Sequence, residues 1–176
     1  MLYVQQSLGP DEELVHIGKF HWMYTVNAFL SIFWGLVGAI LVIVVATYAY
    51  GFMGKLPTNA SVIGSIQQLH PGIRIFSFLV FIFGLLRFAQ MMVVKATTEI
   101  AITSNRLVYK RGLIARHVGE INIDRIEGVN VLQSILGRIF NFGRIMVRGM
   151  GVGEVLLPSI EDPISFRRAI EKAKSM

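Results

Sequence analysis

The chain has 176 residues, of which 53% are hydrophobic and 16% charged, and it contains no cysteine. This composition is too apolar for an ordinary soluble domain, and the chain is too short for a large multi-spanning transporter. Without cysteine, disulfide frameworks, thiolate catalysis and cysteine-ligated metal sites are excluded. The formal net charge of +6 arises mainly in residues 95–176, which hold 13 Lys and Arg against eight Asp and Glu.

The N-terminal segment, residues 1–21, is polar, with a Gly-Pro break and an acidic cluster at residues 11–13. Polarity alternates from Leu14 to Lys19, which is compatible with either a small strand or a surface helix. A secretory signal peptide does not fit, because the apolar run that follows starts late and is longer than a signal-peptide core. We therefore expect this run to be retained in the mature protein.

Residues 22–50 contain no charged side chain. A helix needs roughly 20 apolar residues to cross a bilayer core about 30 Å thick, so this run predicts a first transmembrane helix. Small residues let helix backbones approach closely, so a face made of them is expected to pack against the second span or a neighbouring subunit. In this helix the small residues on one face are Ser31, Gly35, Gly38 and Ala39.

Residues 51–72 are rich in Gly, Pro, Asn and Ser and predict a short extracytoplasmic loop, and residues 73–94 predict the second transmembrane helix. Arg87 lies within the apolar pattern of that second span. A charge inside a membrane is a functional-site hypothesis, because it is costly to place there. The alternative is interfacial anchoring, in which the guanidinium extends to the far headgroups.

Positive charge is more frequent after the second span than in the loop between the spans. The loop and its border supply Lys55 and Arg74, whereas Lys95, Arg106, Lys110 and Arg111 follow the second helix. Cytoplasmic flanks of membrane helices carry the excess of Lys and Arg. The sequence thus predicts a multi-pass protein with both termini in the cytoplasm, and residues 95–176 as a cytoplasmic domain.

From residue 97 the hydrophobic period changes to two, in short runs rich in Ile and Val. Breaks at residues 104–105, 112 and 128 predict a meander of four antiparallel strands, and residues 144–149 predict another strand. The glycines at 149–153 predict a hairpin turn and not a nucleotide loop, because no helix follows them. Asp162 and Pro163 predict the start of a last helix with an apolar stripe of Ile164, Phe166, Ala169, Ile170 and Ala173.

Between these strands, residues 134–143 read SILGRIFNFG and predict a helical turn or a short amphipathic helix. Two interpretations remain open. The apolar side chains could cap the core, or they could form a hydrophobic edge that enters the adjacent bilayer or a partner subunit. Arg138 lies within this segment.

Three sequence patterns in the second half are distinctive: TSNRLVYKRG, then QS-x-x-GR-x-x-x-x-G from Gln133 to Gly143, then DP-x-x-F from Asp162 to Phe166. Over about residues 97–174 the chain resembles the bacterial pleckstrin-homology-like domains of membrane-anchored proteins. The resemblance implies a membrane protein of the α+β class, with a two-helix hairpin followed by a PH-like antiparallel β-barrel capped by a C-terminal helix. It also implies the bacterial inner membrane, in a family largely without defined chemistry.

Basic residues are the candidate lipid- or anion-binding groups. Those on one strand face could converge on lipid headgroups or an acidic partner, or could be ordinary solvated residues. The candidates are Arg106, Lys110, Arg111, Arg116, Arg138, Arg144 and Arg148. No nucleic-acid motif is visible, so nucleic acid is not expected as a partner.

No constellation of residues predicts catalysis. The four histidines lie in different segments without metal-ligand spacing, so no metal, cofactor or enzymatic activity is expected. The sequence favours a non-enzymatic scaffold that forms homo-oligomers or docks on another membrane protein, with its basic face toward anionic lipid. The alternative is an oligomeric channel or lipid-transport component in which Arg87 lines the path.

Overall fold

The computed structural model describes residue 4 and residues 7–10, 12–55, 61–112, 117–151 and 153–175. The chain divides into two compact units. The first contains residues 1–24 and 93–176, and the second contains residues 25–92. The helical hairpin is therefore inserted into the sequence of the first unit.

Three helices follow one another between residues 22 and 97. They are α1 (Trp22–Phe52), α2 (Val62–Gln68) and α3 (Pro71–Thr97). Both α1 and α3 are long and apolar enough to cross a membrane. The predicted spans at 22–50 and 73–94 lie within them. The predicted loop contains α2, which begins where the Ser61 hydroxyl accepts a hydrogen bond from the Gly64 amide at 3.2 Å.

The first unit contains a four-stranded antiparallel sheet with its strands in chain order. These strands are β1 (Leu14–Gly18), β2 (Glu99–Thr103), β3 (Arg106–Arg111) and β4 (His117–Asn122). The predicted turn at Ser104 and Asn105 is confirmed between β2 and β3. The run that the sequence left open between strand and helix is β1, which pairs with β2 from Leu14 opposite Thr103 to Gly18 opposite Ile100.

A second sheet contains the remaining described strands, β5 (Ile126–Leu132), β6 (Phe142–Gly149), β7 (Gly153–Leu156) and β8 (Ile160–Glu161). Its order is β5-β6-β7, and β8 also pairs with β6. The hairpin turn predicted at 149–153 is confirmed between β6 and β7.

The described strands form these two ladders and not the closed barrel that the family resemblance implied. The predicted four-strand meander ends early because a 3-10 turn at Ile123–Arg125 interrupts it. Ile123, the first residue of this turn, and Ile126, the residue after it, are both buried, and β5 then belongs to the second sheet. One isolated bridge, between Phe20 and Ile160, joins the segment after β1 to β8.

The two remaining helices are α4 (Ile135–Ile139) and α5 (Pro163–Lys174). The predicted start of α5 is confirmed, since the Asp162 carboxylate accepts a hydrogen bond from the Ser165 amide at 3.2 Å. Phe166 and Ile170 are fully buried, whereas Ile164 is 46% exposed. The prediction of Ile164 in the apolar stripe is wrong, because helix residues two positions apart point to nearly opposite sides.

The hydrophobic core of the first unit combines both sheets with α5. Its buried members are Ile100, Ile102, Leu107, Ile121, Ile123, Ile126, Ile145, Val147, Leu157, Ile160, Phe166, Ile170 and Ala173. A smaller cluster on the first sheet joins Val4 to Ala101 and Val108. The N-terminal segment therefore covers part of the first sheet.

An ion pair fixes that N-terminal segment to the first sheet. Arg106 donates from Nε and Nη2 to the two oxygens of Glu12 at 2.9 and 2.8 Å, and Thr103 donates to Glu12 at 2.6 Å. The Glu12 side chain is only 5% exposed. Burial opposes its ionisation, but hydrogen bonds from Thr103, Gly9 and Arg106 outweigh burial and lower the Glu12 pKa.

We expect Arg106→Ala to destabilise the first unit by about 1–3 kcal/mol, because the Glu12 carboxylate would lose its charged donor. A carboxyl group whose pKa is lowered by folding stabilises the fold above its unfolded pKa, and this contribution is lost as the pH falls through its folded pKa. The melting temperature, measured in mild detergent between pH 7 and pH 3, should therefore fall less steeply with decreasing pH in Glu12→Gln than in the wild type.

Glu13→Gln is the matched control, because Glu13 is an exposed neighbour on the same segment. It should unfold with the acid dependence of the wild-type chain. An equal effect of the two substitutions would contradict a specific role for Glu12.

Candidate functional site

A loop and short helix between β5 and β6 form the best-defined feature of the surface. The Ser134 hydroxyl accepts from the Gly137 amide at 3.1 Å and caps α4. The Gln133 side-chain amide donates to the carbonyl oxygens of Gly137 and Phe142 at 3.3 and 3.2 Å. A Cβ atom on Gly137 would lie 2.6 Å from the Phe142 oxygen, so glycine is required for this close approach.

The helix built in this way presents apolar side chains to the outside. Ile135, Leu136, Ile139 and Phe140 are 80%, 56%, 68% and 41% exposed, and we call these four residues the apolar edge. Only Gly137 in α4 is buried. This exposure argues against the core-capping interpretation of residues 134–143 and favours the hydrophobic-edge interpretation.

The apolar edge extends to the first residue of α1. The rings of Trp22 and Phe140 meet edge to face with centroids 5.8 Å apart, and Trp22 is 54% exposed. His21 is buried between Trp22 and Phe142, with ring centroids 5.3 and 5.0 Å away. Its Nδ1 accepts a hydrogen bond from the Met23 amide at 3.2 Å, which satisfies a free donor at the start of α1. The edge is thereby fixed beside the beginning of the first long helix.

A groove of about 560 Å³ adjoins the apolar edge, and it is lined by Arg138 and Arg167 together with Gln133, Ser134 and Ile164. We call it the arginine groove. Arg167 also forms an exposed pair with Glu171, one helical turn away, at 3.0 Å. Among the described residues, Arg138 has no ion-pair partner. The sequence singled out Arg138 but missed Arg167, whose place on α5 gave no indication that it would face the α4 segment.

Three other candidate cations are neutralised by carboxylates. Arg106 contacts Glu120 at 2.8 Å in addition to Glu12, and its hydrogen bond to Glu12 raises the pKa of its guanidinium. Lys110 pairs with Glu99 at 3.0 Å, and Arg148 pairs with Glu154. Only the Arg148–Glu154 pair is largely exposed and contributes little to stability, but all of these pairs reduce the net positive charge of the strand faces.

The remaining candidates are placed separately. Arg111 is exposed at the end of β3, and Arg144 is exposed on β6 opposite Leu132. Arg116 lies outside the described residues. Among the described candidates, Arg111 belongs to the first sheet and Arg144 to the second. Their role in binding lipid or anions stays a prediction.

The small-residue face of α1 contacts α3 within the hairpin. A Cβ atom on Gly35 would lie 2.9 Å from the Gly84 Cα, and one on Gly38 would lie 3.1 Å from a Val80 methyl group. The Ser31 hydroxyl donates to the Ala28 carbonyl oxygen of its own helix at 2.6 Å and also lies 3.3 Å from the Gly84 carbonyl oxygen of α3. In the other direction, the Ser77 hydroxyl of α3 donates to the Ala39 carbonyl oxygen of α1 at 2.9 Å. All four predicted small residues therefore face the second long helix.

Arg87 is exposed on the surface of α3 and donates to the Gln90 side-chain oxygen at 3.3 Å. This contact is compatible with an interfacial anchor that carries a polar neighbour one turn away. No group of three or more metal-ligating side chains occurs in the part of the chain that the structure describes.

A family model described as Bacterial PH domain matches residues 14–174. The match begins at the first residue of β1 and ends at the last residue of α5, so it includes the inserted helical hairpin. It confirms the family resemblance inferred from the sequence patterns. Neither the curated proteins nor the solved structures contain a match to this chain.

The close contact between α1 and α3 can be tested at Gly35. Gly35→Val should destabilise the hairpin by about 1–3 kcal/mol, because the added methyl groups would overlap the α3 backbone. Gly51→Val is the control in the same helix, since a Cβ atom there meets no atom within 4 Å. Thermal unfolding of the full chain in mild detergent, followed by the helical circular dichroism signal, measures the difference.

Equal melting of the two variants would contradict the packing role of Gly35. A smaller particle size for Gly35→Val with unchanged melting would instead assign this face to a contact between subunits.

Proposed function

The chain belongs to the bacterial PH domain family, and from that premise we propose that it is a non-enzymatic interaction module anchored in the bacterial inner membrane. The anchors are α1 and α3, whose length and apolarity are sufficient for crossing. The excess of Lys and Arg after α3 supports a cytoplasmic position for both termini. The sheets and α5 then form a PH-like domain on the cytoplasmic side.

The observation that carries the proposal is the apolar edge beside Trp22. Three large apolar side chains of a five-residue helix, together with Phe140 just after it, are exposed to water, and this exposure is unfavourable by about 25 cal/mol for each Å² of apolar surface. Tryptophan at the end of a membrane span favours the headgroup layer. We propose that the edge lies in the headgroup layer of the same membrane that α1 crosses.

The arginine groove gives this contact a preference for anionic lipid. Arg138, which has no ion-pair partner among the described residues, and Arg167, which is paired with Glu171, line one groove beside the edge. A cation close to an anionic surface contributes about 1 kcal/mol. Apolar side chains flanked by cations are typical of protein segments that lie in the membrane interface. The combination supports recognition of lipid phosphates more than recognition of an acidic soluble protein, which would not require the exposed apolar edge.

Assembly of several copies, or docking on another membrane protein, is the second part of the proposal. The Gly35 face is in contact with α3, so an oligomer would use other exposed faces of the hairpin. An oligomeric channel or lipid-transport component remains the alternative function. Since Arg87 lies on the exposed surface of α3, a path lined by Arg87 would require several copies around it.

The position of the apolar edge can be measured directly, because the chain has no cysteine to compete for a label. An environment-sensitive fluorophore on Ile139→Cys, in the full chain reconstituted in anionic nanodiscs, should emit at shorter wavelength than in water. Spin-labelled lipid in the disc should quench it. Lys172→Cys, on an exposed position of α5, is the matched control and should report an aqueous environment.

The emission and quenching of the Ile139→Cys label should differ between nanodiscs of phosphatidylglycerol and nanodiscs of phosphatidylcholine. Adding Arg138→Ala and Arg167→Ala to the labelled chain should reduce that difference. An Ile139 label that reports water in both lipids, with no quenching, would refute membrane contact by the apolar edge.

A further inference from the structure

One side of α1 carries exposed residues that recur along the helix at intervals of three, four and seven positions. Residues at this spacing return to the same side of a helix after every two turns, which is typical of helices that pair along their length. The surface that they form lies beside the small-residue face that contacts α3 and shares no residue with it. We call it the heptad face, and its residues are Asn27, Leu30, Trp34, Leu41, Val44 and Tyr48.

Two polar groups on the heptad face are without a partner. Asn27 is exposed, and Trp34 is 64% exposed. Among the described residues, neither the Asn27 carboxamide nor the Trp34 indole N–H has a hydrogen-bond partner. The hydroxyl groups of Ser31 and Thr47, in contrast, donate to carbonyl oxygens of the same helix at 2.6 and 2.8 Å. The helix thus satisfies these hydroxyl groups internally, but it leaves the carboxamide and the indole to another molecule.

Both unpartnered groups lie below the headgroup layer if α1 crosses the membrane, and this step rests on the proposed function. The helix begins at Trp22, so at about 1.5 Å rise per residue Asn27 lies about 7 Å and Trp34 about 18 Å along it. The headgroup layer on each side of the hydrocarbon is only about 5–7 Å thick. The short Asn27 side chain cannot extend back to it as a long arginine side chain can. Polar groups without partners are costly in hydrocarbon, so protein contacts are expected at both positions.

A second copy of the chain supplies a partner at the required depth. Every copy crosses the membrane in the same direction, so Asn27 lies at the same depth in each. A carboxamide is both donor and acceptor, and two of them related by a two-fold axis can therefore hydrogen-bond to each other. The Trp34 indole would then face a helix whose backbone carbonyl oxygens each have a second lone pair. An unrelated membrane protein would need a polar group of its own at the same depth.

We propose that the heptad face binds the heptad face of a second copy, in a parallel pair of α1 helices joined by a hydrogen bond between the two Asn27 carboxamides. Asparagine side chains hydrogen-bond across helices in membranes, and one polar position in a heptad pattern fixes the register of the pair. The contact of Gly35 with α3 stays within each hairpin. Dimerisation therefore joins two intact hairpins and does not exchange helices between them.

Cysteine cross-linking locates the contact, because the chain has no cysteine of its own. Leu41→Cys lies on the heptad face. Leu36→Cys is the matched control on another side of the same helix, and the two leucines are 58% and 47% exposed. In phospholipid vesicles treated with copper phenanthroline, the full chain carrying Leu41→Cys should form disulfide-linked dimers at least about tenfold faster than the control, because a specific contact raises the local thiol concentration.

Energy transfer between donor-labelled and acceptor-labelled full chains measures the affinity. The dyes are attached at Lys172→Cys, an exposed position on α5, and the protein-to-lipid ratio of the vesicles is varied. Asn27→Leu should weaken association about three- to thirtyfold, because it removes the hydrogen bond between the helices and keeps the side-chain volume. Asn27→Gln keeps the carboxamide and should retain most of the affinity. Neither variant should lower the melting temperature in detergent, since the carboxamide has no partner within the described chain.

Three results would each overturn the proposal. They are the absence of energy transfer at every protein-to-lipid ratio, an unchanged affinity in Asn27→Leu, and equal rates of cross-linking for Leu41→Cys and Leu36→Cys. A chain that is monomeric when pure but associates in native membranes would assign the heptad face to another membrane protein.

A water-soluble maleimide separates this inference from the proposed function. Leu41→Cys in intact vesicles should resist the reagent, because the residue lies within the span. Modification of Leu41→Cys would show that α1 does not cross the membrane, and the proposed function would then fail. A protected Leu41→Cys that does not cross-link would refute the dimer alone and leave the membrane anchor and the apolar edge unaffected.

Discussion

The pairing of β1 with β2 is the constraint on which the rest of the structure depends. It joins the chain before the helical hairpin to the chain after it, in a ladder from Leu14 opposite Thr103 to Gly18 opposite Ile100. The segment then continues to the second sheet, where the Glu161 amide donates to the Lys19 carbonyl oxygen at 2.9 Å. One short stretch thus connects both sheets before α1 begins. A chain starting at residue 95 would lack this stretch and leave the edge of β2 unpaired, which favours aggregation.

Local patterns predicted the elements whose determinants are close in sequence. The Ser104–Asn105 turn, the glycine hairpin before β7 and the Asp162 cap of α5 each depend on a few neighbouring residues, and all three occur where predicted. The pairing of β1 was not predictable, because its partner lies more than 80 positions away and no local pattern encodes that register. The separation into two sheets was missed for a related reason. A three-residue 3-10 turn decides it, and Ile123 is buried there in a run that reads as continuous strand.

The candidate site shows the same division between local and long-range information. In the Gln133–Gly143 pattern, the specified residues build the loop through the Ser134 cap, the Gln133 hydrogen bonds and the close approach at Gly137. The variable positions of that pattern carry the exposed apolar side chains. Sequence alone could place Arg138 in an amphipathic segment but could not bring Arg167 to the same groove. Nor could it show that Arg106 and Lys110 are engaged by acidic partners, since those partners come from other segments.

In the proposed arrangement, the covalent anchor changes how much affinity the domain surface must supply. A segment held beside a membrane by its own helices is at high effective concentration there, so a weak surface contact is sufficient to orient the domain. The five-residue α4 and two arginines would be insufficient for a soluble protein that must find the membrane from solution, because a single short amphipathic segment binds bilayers weakly. An anchored domain instead gains a contact that can be released without loss of the protein from the membrane. Such a contact is suited to changing the domain's orientation when a partner or a different lipid competes for the same surface.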